Sequence, residues 1–279
     1  MSWLVTAIGG AACLGSGNFL GGRAARSGLP SADVALVSHC LGALLLLVIT
    51  ILTTPTLLVG GTEPIAALGG LASASATVLL YRSLRLGQMS VNAPVVGVIS
   101  ILTATVAGVM EGETLRAPGL AGIALAVAAV IATSQSPGPR VGRLTGGVPE
   151  AIGAGIGFGL FSICLSVSSG GAAETLLIAR LASVGLLAVL AARGFPQGPV
   201  RSLIRAGLPV GGLEFAGNAL MFVALAQGTL SVVQTLLALN PVVTVLLART
   251  AYGEHLSRWQ RLGSVAAIAS IPLLALNQT

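Results

Sequence analysis

Long apolar segments separated by short polar links recur along the whole chain. A helix needs about 20 mainly apolar residues to cross the hydrocarbon core of a bilayer. Charges and Gly/Pro clusters divide the sequence into ten segments of roughly that length. The pattern predicts an all-α polytopic membrane protein with ten transmembrane helices. The predicted spans are Ser2–Leu20, Asp33–Thr53, Pro64–Tyr81, Ser90–Met110, Pro118–Ser134, Val148–Ser168, Ala172–Ala192, Ala206–Ala226, Leu230–Ala251 and Arg258–Leu276.

The composition supports a membrane protein and excludes soluble classes. Only 8% of the 279 residues are charged, against about 25% in a soluble domain, so the chain has too little charge to cover a water-facing surface. The net charge of +6 comes from scattered arginines rather than from a basic patch. We therefore expect no nucleic-acid partner. We expect a multi-pass protein of the inner (cytoplasmic) cell membrane, a monomer whose partners are the lipid bilayer and a small solute.

Motifs for cofactors and for most membrane enzymes are missing from the sequence. Cys13, Cys40 and Cys164 lie in apolar runs without metal-ligand spacing, which indicates packing roles and no metal site. No Gly-x-x-x-x-Gly-Lys motif occurs, so direct use of ATP is not expected. We expect no cofactor.

The two halves of the chain align without a gap when Glu113 is placed opposite Glu254. Between residues 33–128 and 174–269, 20 of 96 positions are identical. Each half holds five predicted helices, and an odd number requires the second half to enter the membrane upside down. Inverted repeats of this kind are a known plan of secondary transporters, with the substrate site near the midplane between them.

Motifs in both halves resemble the drug/metabolite transporter superfamily, EamA type. They are Gly228-Thr-Leu-Ser-Val-Val, Asn240-Pro241-Val-Val-Thr and Gly253-Glu254-His255-Leu256-Ser257, with a first-half counterpart from Gly87 to Leu115. The resemblance covers nearly the whole chain. It implies ten helices in two inverted five-helix repeats around a central cavity, and export or exchange of small metabolites or drugs. The first repeat is placed in residues 1–137, a linker in 138–147 and the second repeat in 148–279.

The arginines indicate which face of the membrane is cytoplasmic. One arginine, Arg116, lies in an even-numbered link, and Arg180 lies inside a span. The positive-inside rule places the odd-numbered links in the cytoplasm and both termini outside. The family resemblance favours both termini inside, so the two arguments conflict. The twelve arginines of the odd-numbered links are Arg23, Arg26, Arg82, Arg85, Arg140, Arg143, Arg193, Arg201, Arg205, Arg249, Arg258 and Arg261.

Polar residues inside the spans are the candidates for solute binding, because ionisable groups at that depth are costly and are by default functional. The repeat aligns His39 with Arg180; the family often has Arg at this position, and His39 departs from that pattern. Pro94 and Pro241 indicate breaks in the fourth and ninth helices. The predicted substrate-binding residues are Glu214, Arg180, His39, Asn218, Gln234, Asn240, Asn92 and Asn18.

Some of these residues have an alternative role. Asn92, Gln234 and Asn240 fit either a cavity or bonds between helices. The resemblance makes Glu113 and Glu254 structural caps or gate elements rather than substrate ligands.

Glu214 is the most informative single residue. It lies near the middle of the eighth predicted span, on the same face as Asn218 four residues later. A buried carboxylate without a partner can be protonated near neutral pH, which makes Glu214 the candidate for proton coupling. Alternatively, Glu214 forms a buried ion pair with Arg180; the two roles can coexist. One Arg and one Glu could also hold a zwitterion such as an amino acid.

These observations predict a secondary transporter, expected to export a small metabolite, amino-acid-like or drug-like solute by alternating access, with proton coupling as an option. An intramembrane enzyme is the alternative, but His39 and His255 are the only histidines and Gly15-Ser16-Gly17 is a poor match to a serine-protease motif. A channel would need a filter or a ring of charges. A structural membrane protein would not need charges in mid-span. We expect no enzymatic activity.

Overall fold

The computed structural model describes residues 2–53, 63–86, 89–133, 146–168, 171–194, 199–252 and 257–277. Every regular element within these ranges is an α-helix. The helices are α1 (Ser2–Arg26), α2 (Ser31–Thr53), α3 (Glu63–Leu86), α4 (Met89–Met110), α5 (Ala117–Thr133), α6 (Val148–Ser166), α7 (Ala172–Gly194), α8 (Val200–Leu225), α9 (Leu230–Leu237), α10 (Asn240–Tyr252) and α11 (Arg258–Leu276).

The prediction of ten apolar spans is confirmed over these ranges. Eight helices are long and apolar enough to cross a membrane alone, and two shorter apolar stretches correspond to α5 and to α9 with the start of α10. Helices α9 and α10 are the two parts of the ninth predicted span. They enclose a turn at Ala238 and Leu239.

The break in the ninth span has a local cause at Pro241. Proline has no amide hydrogen, so the carbonyl one turn earlier, that of Leu237, loses its helical donor. The side-chain Nδ2 of Asn240 donates to that carbonyl instead, at 2.9 Å. The break expected in the fourth span is wrong, since α4 runs unbroken through Pro94. Pro94 is the sixth residue of α4, past the first turn, so it removes one hydrogen bond of the helix without interrupting it.

Contacts between links show which helix ends lie on the same side of the helix bundle. On one side, which includes the end of α11, the carboxylate of Glu113 accepts from the amides at the start of α9, and the amide of Arg116 donates to Oδ1 of Asn277 at 2.9 Å. On the other side, Arg82 at the end of α3 pairs with Glu150 at the start of α6, with 3.2 Å between Nε and Oε1. Which face is cytoplasmic stays a prediction.

The closest helix pairings join the two halves of the chain and recur with the halves exchanged. Helix α1 packs along α8 as α6 packs along α3, and α2 packs on α8 as α7 packs on α3. The same symmetry holds for single residues. A Cβ on Gly70 would overlap the backbone of Ala179, and a Cβ on its repeat counterpart Gly211 would overlap the backbone of Ser38. Small residues let these backbones approach closely.

The predicted domain boundaries stay predictions. Most of the predicted linker, 138–147, lies outside the described residues. Its last two residues form a turn before α6, in which Gly147 has a φ of 76°. That left-handed conformation favours glycine because it has no Cβ.

Candidate functional site

A cavity lies between the two halves, and both contribute to its wall. The volume open to the centres of water molecules is about 70 Å³. This is room for several waters, since one water needs roughly 10–15 Å³ on this measure. Seven of the eight predicted site residues line it. The full lining is Leu14, Asn18, His39, Ser73, Thr77, Val96, Gly97, Ser100, Phe158, Phe161, Ser162, Arg180, Glu214, Asn218, Met221, Gln234, Leu237 and Asn240.

Glu214 is the centre of a buried cluster that connects four helices. Its Oε2 accepts from Oγ of Ser38 at 3.0 Å and lies 3.5 Å from Nε2 of His39 and 3.9 Å from Nη1 of Arg180. Its Oε1 accepts from the hydroxyl of Tyr81 at 3.2 Å. All five side chains are buried. The predicted pairing of Glu214 with Arg180 is therefore present, but at a separation longer than a direct hydrogen bond.

Glycines lie against both charged side chains, and the one beside Arg180 provides space for it. A Cβ on Gly42 of α2 would lie 3.3 Å from Nε of Arg180, tighter than an ordinary contact. A Cβ on Gly17 of α1 would lie 3.6 Å from Cγ of Glu214. Helix α2 thus approaches α7 closely enough to enclose the guanidinium, and α1 covers the carboxylate.

Amide side chains form a second polar group of the cavity. Asn18 of α1 donates from Nδ2 to Oδ1 of Asn240 at 3.1 Å, and Asn240 also satisfies the carbonyl freed at the helix break. Ser162 of α6 donates to Oε1 of Gln234 at 2.5 Å. Gln234 and Asn240 therefore both line the cavity and bond between elements, so the two roles weighed for them coexist.

Asn92 lies apart from the cavity. Its side chain is fully buried and donates from Nδ2 to the carbonyls of Ser83, at 2.8 Å, and Gly146, at 3.1 Å. It therefore ties the start of α4 to the end of α3 and to the turn before α6. This geometry fits the interhelical role for Asn92 and not solute binding.

Three residues of the site went unnoticed in the sequence. Ser38 and Tyr81 reach the carboxylate of Glu214, and Ser162 reaches Gln234. The sequence gave one weak indication of Ser38, its position next to the predicted site residue His39. Tyr81 gave none, because the repeat aligns it with Phe222, which has no hydroxyl.

Glu113 is a helix cap. Its carboxylate accepts from the amide nitrogens of Leu230, at 2.5 Å, and Ser231, at 3.2 Å. A carboxylate at a helix N-terminus satisfies free N–H groups and interacts favourably with the helix dipole. This agrees with the structural role implied for Glu113. Its counterpart Glu254, and His255, lie outside the described residues.

The ionisable groups of the cavity are few and nearly balanced. Among the residues that line it, Arg180 and Glu214 carry opposite charges and His39 is the remaining ionisable side chain. Groups of three or more His, Cys, Asp or Glu side chains that could hold a metal ion are absent from the part of the chain that the structure describes. The site can therefore offer one cation, one anion and several neutral hydrogen-bonding groups to a solute.

Comparisons with known proteins match the second half of the chain to a transporter family. Residues 147–276 match the EamA-like transporter family. No curated protein matches the chain. Among solved structures, 21 chains match. One, described as "Crystal structure of protein", superimposes with a TM-score of 0.74 over 96% of this chain and 95% of that chain. At 14% identity, this likeness shows the fold alone. Residues 147–276 thus carry an EamA-like unit, which indicates a membrane transporter of the drug/metabolite type.

Proposed function

We propose that the chain is a secondary transporter that moves a small zwitterion, of the amino-acid class, through this cavity by alternating access. The observation that carries the proposal is the loose pair of Arg180 and Glu214. Their closest charged atoms are 3.9 Å apart, in a cavity otherwise lined by neutral groups and His39. We place the protein in the inner cell membrane and propose a monomer, because one chain supplies the whole lining of the cavity.

A zwitterion can replace the internal pair without leaving a charge unpaired. Its carboxylate accepts from the guanidinium of Arg180, for which a planar bidentate arrangement is available. Its ammonium group donates to Glu214. Removing one partner of a buried ion pair is costly, by about 3–5 kcal/mol, because the other charge remains uncompensated. A solute with both charges avoids this cost, whereas a purely cationic or anionic solute leaves either Arg180 or Glu214 unpaired.

Proton coupling follows from the same carboxylate. A protonated Glu214 no longer attracts the ammonium group of the solute, so uptake of a proton favours release. Exchange of a proton entering the cell for a solute leaving it would then drive export. This step requires Glu214 to be reachable from both faces in turn, as alternating access provides.

The test is exchange of labelled solutes in proteoliposomes. We expect a panel of zwitterionic amino acids to include a substrate that drives counterflow. For that substrate, Arg180→Gln should weaken apparent affinity by at least tenfold, which corresponds to about 1.4 kcal/mol. The control is Arg82→Gln, which removes the arginine of an exposed ion pair outside the cavity and should change affinity less than twofold.

Two outcomes would contradict the proposal. The first is that no zwitterion is exchanged while a purely cationic or apolar solute is. The second is that Arg180→Gln and Arg82→Gln have the same affinity as the wild type.

A further inference from the structure

We propose that Tyr81 is a positioning residue for Glu214, acting from outside the cavity, and that its hydroxyl sets the pH at which Glu214 exchanges its proton. The inference deepens the proposed function and rests on it only for its consequence in transport. Tyr81 is fully buried in α3 and does not line the cavity. Its hydroxyl therefore acts on the cavity through Glu214, which it contacts and which lines the cavity.

Each carboxylate oxygen of Glu214 accepts a hydrogen bond from one hydroxyl group. Tyr81 donates to Oε1 at 3.2 Å and Ser38 donates to Oε2 at 3.0 Å. Ser38 does not line the cavity either. Two donors on different oxygens fix the plane of the carboxylate. Arg180 and His39 also contact Glu214, and unlike Tyr81 and Ser38 they line the cavity.

The Tyr81 ring packs against Gly21 of α1. A Cβ at Gly21 would overlap the Tyr81 ring and its hydroxyl. The ring therefore cannot approach α1 more closely, and the absence of a side chain at Gly21 is what lets the hydroxyl reach Glu214. By contrast, a Cβ at Gly17, one turn earlier in the same helix, would make an ordinary contact of 3.6 Å with Glu214.

The arrangement exists in one half of the protein only. The repeat aligns Glu214 with Ser73, Tyr81 with Phe222 and Ser38 with Ala179. Neither the carboxylate nor its two hydroxyl donors thus has a counterpart in the other half. The asymmetry makes the cluster a specific addition to the repeat rather than a by-product of its packing.

The direction of the effect follows from the hydrogen bonds. The titratable or charged groups that face Glu214 are His39 from α2, Tyr81 from α3 and Arg180 from α7. The neighbouring helices α1 and α9 present only uncharged side chains to the cavity. A hydroxyl that donates to a carboxylate stabilises its ionised form. Without the Tyr81 hydroxyl, Glu214 should take up its proton at a higher pH.

The experiment is an infrared titration of the purified protein, with no solute present. The carbonyl band of protonated Glu214 is identified as the band that Glu214→Gln lacks. In Tyr81→Phe, which keeps the ring on Gly21, its midpoint should move up by about one to two pH units, the shift expected when a carboxylate loses one hydrogen-bond donor. Ser38→Ala should move it in the same direction. Ser75→Ala removes a hydroxyl of α3 that bonds only within its own helix and should leave it unchanged.

Transport provides the second readout. In Tyr81→Phe, the pH profile of exchange should move up together with the infrared midpoint, a shift that a purely structural role of Tyr81 would not produce. An unmoved infrared midpoint in Tyr81→Phe would overturn the inference. If Tyr81→Phe fails to fold, Gly21→Ala, whose Cβ would displace the Tyr81 ring, should move the midpoint up in its place, and an unmoved midpoint there would overturn the inference. A moved midpoint in a protein that exchanges no solute would support the inference and count against the proposed function instead.

Discussion

The buried pair of Arg180 and Glu214 offers a quantitative test through Arg180→Gln. At 3.9 Å, two unit charges attract each other by about 4 kcal/mol at an effective dielectric constant of ~20. Loss of the guanidinium leaves a carboxylate buried without its cation. We expect Arg180→Gln to lower the free energy of unfolding by about 3–5 kcal/mol near pH 8, the range for a broken buried pair.

The double variant Arg180→Gln/Glu214→Gln separates the ion pair from general packing. Both side chains are then neutral amides of similar volume, so at least half of the lost stability should return. Transport should not return with it. The deficit of the single variant should also shrink at pH 5, because a proton on Glu214, or on His39 beside it, removes the unpaired charge.

The assay is thermal unfolding of the purified protein in detergent, followed by intrinsic fluorescence at pH 8 and pH 5. We expect the unfolding temperature at pH 8 to decrease in the order wild type, double variant, Arg180→Gln. A double variant no more stable than Arg180→Gln would refute a stabilising ion pair, and so would a deficit of Arg180→Gln as large at pH 5 as at pH 8.

Two further predictions concern packing and an interhelical tie. Gly70→Ala should destabilise the protein by about 1–3 kcal/mol, as overpacked sites do, because its Cβ would overlap the backbone of Ala179. Gly185→Ala, which places its Cβ where no atom lies within 4 Å, should be neutral or slightly stabilising in the same thermal assay. Asn92→Ala removes two hydrogen bonds and should lower the unfolding temperature while solute affinity, measured by counterflow, stays within twofold. A tenfold loss of affinity would instead return Asn92 to the binding site.

The helices could be predicted from the sequence because bilayer crossing is a strong one-dimensional constraint. The tenth predicted span, Arg258–Leu276, has the observed bounds. The first was set too short because Gly21 and Gly22 were taken as a break, whereas α1 continues to Arg26. Glycine is tolerated within membrane helices, where neighbouring helices supply the packing.

The candidate site could be predicted in part, for a related reason. Charged and amide side chains such as Arg180 and Gln234 are conspicuous in an apolar span, and both line the cavity. Serine and threonine hydroxyls are not conspicuous, since they can bond to a carbonyl of their own helix, as Ser75 does. Tyr81 became visible only through its distance to Glu214. Whether Asn92 meets the cavity or a neighbouring helix could not be decided from the sequence, because sequence position does not reveal which face of α4 meets a neighbour.

The close packing between the halves bears on how the protein is made. Helix α1 lies along α8, α3 along α6, and α5 along α11, so the early helices emerge from the ribosome long before their partners. Until then, Gly70 and Ser38 face lipid or a chaperone rather than α7 and α8. Truncation before α11 would leave α5 without its main neighbour. The two halves should therefore assemble when they are synthesised as separate polypeptides in the same cell, whereas either half synthesised alone should lack the packing partners of its helices.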